Sequence, residues 1–308
     1  MAEGEEPKVA MDLFDDEMFD EEPRPPRPPR KRPREPKKRR RRPGSGETAK
    51  RILVALPWIV FAIAITVAGG IVFTLAMIAI GVVALREFDA IAARYRPLVI
   101  PAYVAVAALA IAAHFGTAFN VLYVVAASLP LIFAFAARPQ HQDGATVSIG
   151  VTLLAVLWIG IPLAHAVLLR DLPNHGAALL IDVLVGTFVA DTAAYATGRM
   201  FGSHKITPNI SPNKTIEGLI GGFLIGTMGF WFAGLYQDWL SGVDALLIGA
   251  AVAAVAPIGD LFESMLKRDL GTKDTGTIFG PHGGILDRLD AVFFTVVIGY
   301  YLAVALVY

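Results

Sequence analysis

From Ile52 to Val307 the chain is dominated by stretches of about twenty mainly apolar residues, and these decide the solvent in which it can fold. A bilayer-spanning α-helix needs such a run, because without water every backbone polar group must be satisfied inside its own segment. The runs fall at roughly 52–67, 71–93, 98–113, 119–137, 146–169, 176–198, 216–236, 243–266 and 285–307. Gly69-Gly70, Pro97, Pro139, Pro173 and the polar stretch from Gly202 to Thr215 mark the main breaks. Hydrophobic residues make up 55% of the 308, against roughly 45–50% in soluble domains. The expected fold is an all-α, polytopic transmembrane protein with about nine membrane helices. No repeat of fixed period and no separate soluble domain is evident.

Residues 1–50 are different. Ten acids precede residue 23, twelve Lys or Arg follow before residue 44, and the two blocks cancel within a net charge of zero. Low apolar content with dense Pro and charge predicts a disordered tail. Its positive block sets topology or attracts anionic lipid, and both place the N-terminus in the cytoplasm. No aromatic residue interrupts the basic block to stack on bases, so no nucleic-acid partner is expected. The first apolar run begins behind this charged leader without a small-residue cleavage site, so no cleavable signal peptide is expected. Three regions follow: the tail 1–50, N-terminal membrane helices 51–175, and catalytic membrane helices with their loops, 176–308.

Loop charge tests the orientation, because basic residues concentrate on the cytoplasmic side. With the N-terminus inside, the loops after helices 2, 4, 6 and 8 are inside too. They hold Arg86, Arg94 and Arg96, then Arg138, then Arg199, Lys205 and Lys214, then Lys267, Arg268 and Lys273, whereas the opposite loops add little beyond Arg170. The polar loops 199–215 and 267–284 are therefore expected to face the cytoplasm.

Ionisable groups inside membrane helices are costly and mark ion or substrate sites by default. Most lie in the second half of the chain. At the end of the eighth run, Asp260, Glu263, Ser264 and Lys267 fall at i, i+3, i+4 and i+7, one helical face carrying two carboxylates, a hydroxyl and an ammonium, with Arg268 beside it. Carboxylate oxygens with substrate phosphates suit a hard divalent ion such as Mg²⁺, and Lys or Arg neutralises phosphate directly. The absence of cysteine leaves only oxygen or imidazole to hold a metal.

Downstream come Lys273-Asp274-Thr275-Gly276 and Phe279-Gly280-Pro281-His282-Gly283-Gly284-Ile285-Leu286-Asp287-Arg288-Leu289-Asp290. Glycines here let a backbone approach a phosphate and offer its N–H groups, and Asp287 and Asp290 share a face of the first helical turn. A third cluster begins at Asp191 and runs through Lys205 to Ser211-Pro212-Asn213-Lys214-Thr215. Thr215 suits a helix N-cap as well as it suits a phosphate. The candidate metal ligands are Asp191, Asp260, Glu263, Asp287 and Asp290. Candidate catalytic residues are Ser264, Lys267, Arg268, His282 and Asp287, and candidate substrate contacts are Lys205, Ser211, Asn213, Lys214, Thr215, Lys273, Gly283, Gly284 and Arg288. Asp182 is left outside the site, and His114 and His165 read as packing histidines.

These motifs, over about residues 185–292, resemble the phosphatidate cytidylyltransferase family. The resemblance implies a polytopic inner-membrane enzyme that joins CTP to phosphatidic acid, giving CDP-diacylglycerol and pyrophosphate with Mg²⁺. By that analogy Asp260 and Asp287 are the principal metal ligands, and Lys267 and Ser264 contact phosphate. A second metal ion and a homodimer stay open, and the partners implied are CTP, phosphatidic acid and membrane lipids. The charged leader lies outside the pattern. Two other readings compete: a CTP-dependent lipid or polyprenol kinase, and a cation-coupled transporter that uses intramembrane carboxylates as ion sites.

Overall fold

The computed structural model describes residues 45–139, 143–276 and 283–308, with side chains from residue 57 onward. Residues 1–44 of the tail expected at 1–50, and His282 among the candidate residues, lie outside the described residues. Among the described residues the apolar runs become α1 (Ser45–Ala68), α2 (Gly70–Ile91), α3 (Val99–Phe115), α4 (Ala118–Ala136), α5 (Ala145–Arg170), α6 (Gly176–Phe201), α7 (Ile216–Gly234), α8 (Gly242–Asp269) and α9 (Leu286–Leu306). Seven of these, α2 and α4 to α9, are long and apolar enough to cross a membrane, and the apolar parts of α1 and α3 are shorter. The count expected from hydropathy is met. α1 starts at Ser45, so the last residues of the expected tail are already helical.

Residues 51–308 pack as one unit. Large apolar side chains such as Phe115, Phe133, Leu224 and Phe232 are exposed on its surface, which suits acyl chains and would be a liability in water. Lipid tails are as apolar as leucine, so close packing of small residues, rather than hydrophobic exclusion, draws such helices together. α6 and α7 use this device: Gly218, Gly222 and Gly226 lie against Ala190, Ala194 and Gly198, and a Cβ on any of the three α7 glycines would crowd α6.

α5 is the most enclosed of the seven long spans. It carries one π-helical turn, Val156–Gly160, an irregularity that shifts the helical register and so re-aims the side chains around it. Trp158 in that turn meets Phe88 of α2, Phe262 of α8 and Phe293 of α9 edge-on, with ring centroids 6.1, 5.4 and 6.2 Å away. Each such pair contributes about 0.5–1.5 kcal/mol beyond its area.

The polar stretch after α6, read as a loop, instead forms a short antiparallel ribbon, β1 (Lys205–Thr207) with β2 (Ser211–Thr215), pairing Lys205 with Thr215 and Thr207 with Ser211. Pro208-Asn209 supplies the turn chemistry between them. This ribbon is the one sheet among the described residues.

The even-numbered connections gather at one end. Arg94 Nη2 after α2 donates to the Asp269 carbonyl at the end of α8 (2.6 Å). Ser148 near the start of α5 donates to the Tyr95 carbonyl (3.2 Å), and Arg268 Nε donates to the Ile210 carbonyl of the ribbon (3.3 Å). The other end has its own polar contacts. Arg170 Nε donates to the Thr66 carbonyl (3.1 Å), and Gln237 donates to Asp182 (2.7 Å). Asp182 thus lies apart from the acids of α8 and α9. His165 is buried between the Ile161 carbonyl (2.8 Å) and the Tyr301 hydroxyl (3.2 Å), while His114 is not alone but pairs with Asp171 (3.0 Å).

Candidate active site

The acids and lysines converge where α8 ends and α9 begins. α8 packs tightly on α9 at Gly259, where a Cβ would strike the backbone of Asp290 and Ala291. This brings Asp260 and Glu263 alongside Asp290. Lys267, one turn after Glu263, puts its ammonium 2.5 Å from Glu263 Oε2 and 2.7 Å from Asp287 Oδ1. Ser264 Oγ donates to Asp260 Oδ1 (3.3 Å), so the face expected from the i, i+3, i+4, i+7 spacing is present in the fold.

The ribbon supplies the second cation. Lys214 on β2 reaches Asp260 Oδ2 at 2.8 Å and the Pro257 carbonyl at 3.3 Å. Thr215 follows it as the N-cap of α7, its Oγ1 accepting the Gly218 N–H (3.1 Å), and it is buried there. Its geometry displays the capping role. Asp191 of α6 is within electrostatic reach of Asp260 and Lys214, and Asp290 within reach of Asp260 and Asp191. One connected centre therefore contains Asp191, Lys214, Asp260, Glu263, Ser264, Lys267, Asp287 and Asp290.

Asp287 is held from several sides. Its Oδ2 accepts the Gly284 N–H (2.7 Å), the Thr275 N–H (3.0 Å) and the Thr275 hydroxyl (3.0 Å), and its Oδ1 faces Lys267. Gly283 has φ +86°, a left-handed conformation that only glycine adopts freely, and a Cβ there would collide with this carboxylate. The glycine-rich turn was expected to offer amides to a phosphate. In the fold the amides of Gly284, Ile285 and Leu286 are already taken by protein carboxylates, the last two by Glu87 (2.9 and 3.0 Å).

The remaining candidates stand further out. Lys205, Asn213, Lys273 and Arg288 are exposed, Ser211 is half-buried at the start of β2, and Arg268 turns toward Ile210. Glu87 was missed. It is buried on α2, in the half of the chain read as poor in chemistry, although the cost of an intramembrane carboxylate was signal enough to find it.

Among the described residues no three His, Asp or Glu side chains are gathered closely enough to cage a metal ion. Mg²⁺ does not need such a cage, since it is commonly held by one or two carboxylates with the rest of its shell from water and substrate phosphates. The donors here are all carboxylate oxygens, acids outnumber lysines, and Glu263 Oε1 is buried with no hydrogen-bond partner. Asp287 Oδ1 already receives a positive charge from Lys267. The residues present fit a hard divalent cation.

Fold and site together define an integral membrane protein with an acid–lysine centre at one end of its helices. The Cytidylyltransferase family profile matches residues 49–306, and the chain belongs to that family. Among its relatives, proteins named phosphatidate cytidylyltransferase from Bacillus subtilis, Thermotoga maritima and Haemophilus influenzae are 36%, 42% and 38% identical to it. The alignments cover 50%, 41% and 39% of this chain and 58%, 49% and 43% of the relatives. The chain thus spans about half the length of the curated relatives it matches.

Proposed function

We propose that the chain is a phosphatidate cytidylyltransferase, converting CTP and phosphatidic acid into CDP-diacylglycerol and pyrophosphate. The observation that carries this reading is the convergence of four elements, α6, β2, α8 and α9, on one acid–lysine centre at one end of an apolar unit, in a chain of the Cytidylyltransferase family. A centre at the end of the helices lets a lipid present its phosphate while its acyl chains stay in the bilayer.

In this reaction a phosphate oxygen of phosphatidic acid bonds to the α-phosphorus of CTP as the bond to the β-phosphate oxygen breaks, releasing pyrophosphate. The nucleophile is already anionic, so no general base is required, and catalysis comes from alignment and charge neutralisation. Lys267 and Lys214 would neutralise phosphate oxygens, and Ser264 would donate a hydrogen bond. Arg268, Lys205 and Lys273 add positive charge at the mouth of the site. Mg²⁺, held by Asp260 and Asp287 with Asp191, Asp290 and Glu263 nearby, would neutralise triphosphate charge and orient the leaving group. The end bearing these loops is assigned to the cytoplasm of an inner-membrane protein, because the basic connections collect there.

The experiment is a purified-protein assay with CTP, phosphatidic acid and Mg²⁺ that reads pyrophosphate and lipid product together. CTP labelled in the cytidine should give labelled lipid. Label remaining in CDP, with phosphate moved to the lipid, would instead identify a kinase, and the formation of neither product would also refute the assignment.

A further inference from the structure

The last turn of α2 and the residues just beyond it contact both ends of the connection between α8 and α9. Arg94 donates through Nη2 to the carbonyl of Asp269, the last residue of α8, at 2.6 Å. Glu87 accepts the N–H groups of Ile285 (2.9 Å) and Leu286 (3.0 Å) where α9 starts, and the Thr275 hydroxyl lies 3.3 Å away. A cation therefore meets a helix C-terminus and an anion a helix N-terminus, each the sign that the exposed carbonyls or amides there favour. Ile285, at the N-cap of α9, makes no side-chain capping bond, so the cap comes from a helix far earlier in the chain. Gly276 and Gly284 leave the space for it, since a Cβ on either would run into the Glu87 carboxylate. Thr275 ties this contact to the site, its hydroxyl lying also 3.0 Å from Asp287 Oδ2.

We propose that Glu87 and Arg94 are positioning residues, a two-point clamp from the first half of the chain that fixes both ends of the α8–α9 connection and so the placement of Asp287 against Lys267. Its catalytic consequence rests on the cytidylyltransferase reading, but the clamp itself does not. The two charges hold two helix ends at a set separation. Lys267 lies near one of those ends and Asp287 at the other, so the clamp fixes the geometry of that pair without touching substrate.

The full chain, in lipid nanodiscs, is compared with Glu87→Gln, Glu87→Asp and Arg94→Gln. Gln keeps one acceptor but turns an N–H toward a backbone N–H. Hydrogen exchange at the Ile285 and Leu286 amides is expected to accelerate about tenfold in Glu87→Gln while α6 is unchanged. The KM for CTP should rise about fivefold in Glu87→Gln, with Glu87→Asp recovering part of it. Loss of folded protein lowers Vmax but leaves KM alone, so a fall in Vmax with KM and exchange unchanged overturns the proposal. Should Glu87→Gln not insert, Arg94→Gln, at an exposed side chain, carries the test: a raised KM supports the clamp and an unchanged KM overturns it. A wild-type chain that forms no CDP-diacylglycerol overturns the activity reading, while the exchange measurement still decides the clamp.

Discussion

Lys267 Nζ lies 2.7 Å from Asp287 Oδ1 and joins the last turn of α8 to the first turn of α9. The same ammonium also meets Glu263, whose side chain is only 2% exposed. One cation thus stands between two acids from different helices, and the pairing makes each of them depend on the others.

Lys267→Ala should therefore damage both stability and turnover. Removing one partner of a buried ion pair costs about 3–5 kcal/mol, because the other charge is left uncompensated. A fall in the thermal midpoint together with loss of lipid product is the expected result, measured on the purified chain. Asp287→Asn keeps the volume and some of the hydrogen bonding, so it should insert normally yet lose turnover; normal activity would remove Asp287 from the chemistry.

Lys214→Ala should act mainly on nucleotide. It leaves Asp260, and Asp191 nearby, without the lysine that approaches Asp260 at 2.8 Å. The KM for CTP is expected to rise about tenfold or more, the scale of one lost charge-assisted contact. A CTP dependence equal to wild type would take Lys214 out of the site.

Chelation should stop the reaction and added Mg²⁺ should restore it. In Asp260→Asn the Mg²⁺ concentration for half-maximal rate should move upward, as loss of a carboxylate ligand weakens a site built from few of them. Titration of pyrophosphate release against Mg²⁺ reads both effects, and an unshifted curve would argue that Asp260 binds no metal.

Gly222→Leu tests the packing of α6 on α7 rather than the chemistry. The added side chain would meet the Ala190 carbonyl and Ala194. Overpacking of this kind costs typically about 1–3 kcal/mol. A lower thermal midpoint in detergent is expected, with substrate affinities unchanged in the fraction that remains folded.

Much of this was legible before any coordinates. The positions of the nine long helices among the described residues followed from hydropathy, since a bilayer demands long apolar runs whatever the tertiary packing. The face formed by Asp260, Glu263, Ser264 and Lys267 followed from helical periodicity alone. Glu87 lies about 190 residues from the groups it meets, the Thr275 hydroxyl and the backbone amides of the apolar Ile285 and Leu286, so no pattern along the chain links it to them. The ribbon at Lys205–Thr215 was read as a loop because strands of three and five residues carry too few positions to show alternation.

What the sequence by itself determined, then, was the solvent, the helices and the sets of charges that share a face, because each depends on residues within a few turns of one another. Only the tertiary structure decided which charges meet: Lys214 with Asp260, Lys267 with Asp287, and Glu87 with the start of α9. Those pairings depend on how closely helices can approach, as at Gly259 against the backbone of Asp290 and Ala291. Contacts between residues so distant in the chain are set by packing in three dimensions, and no local pattern encodes them.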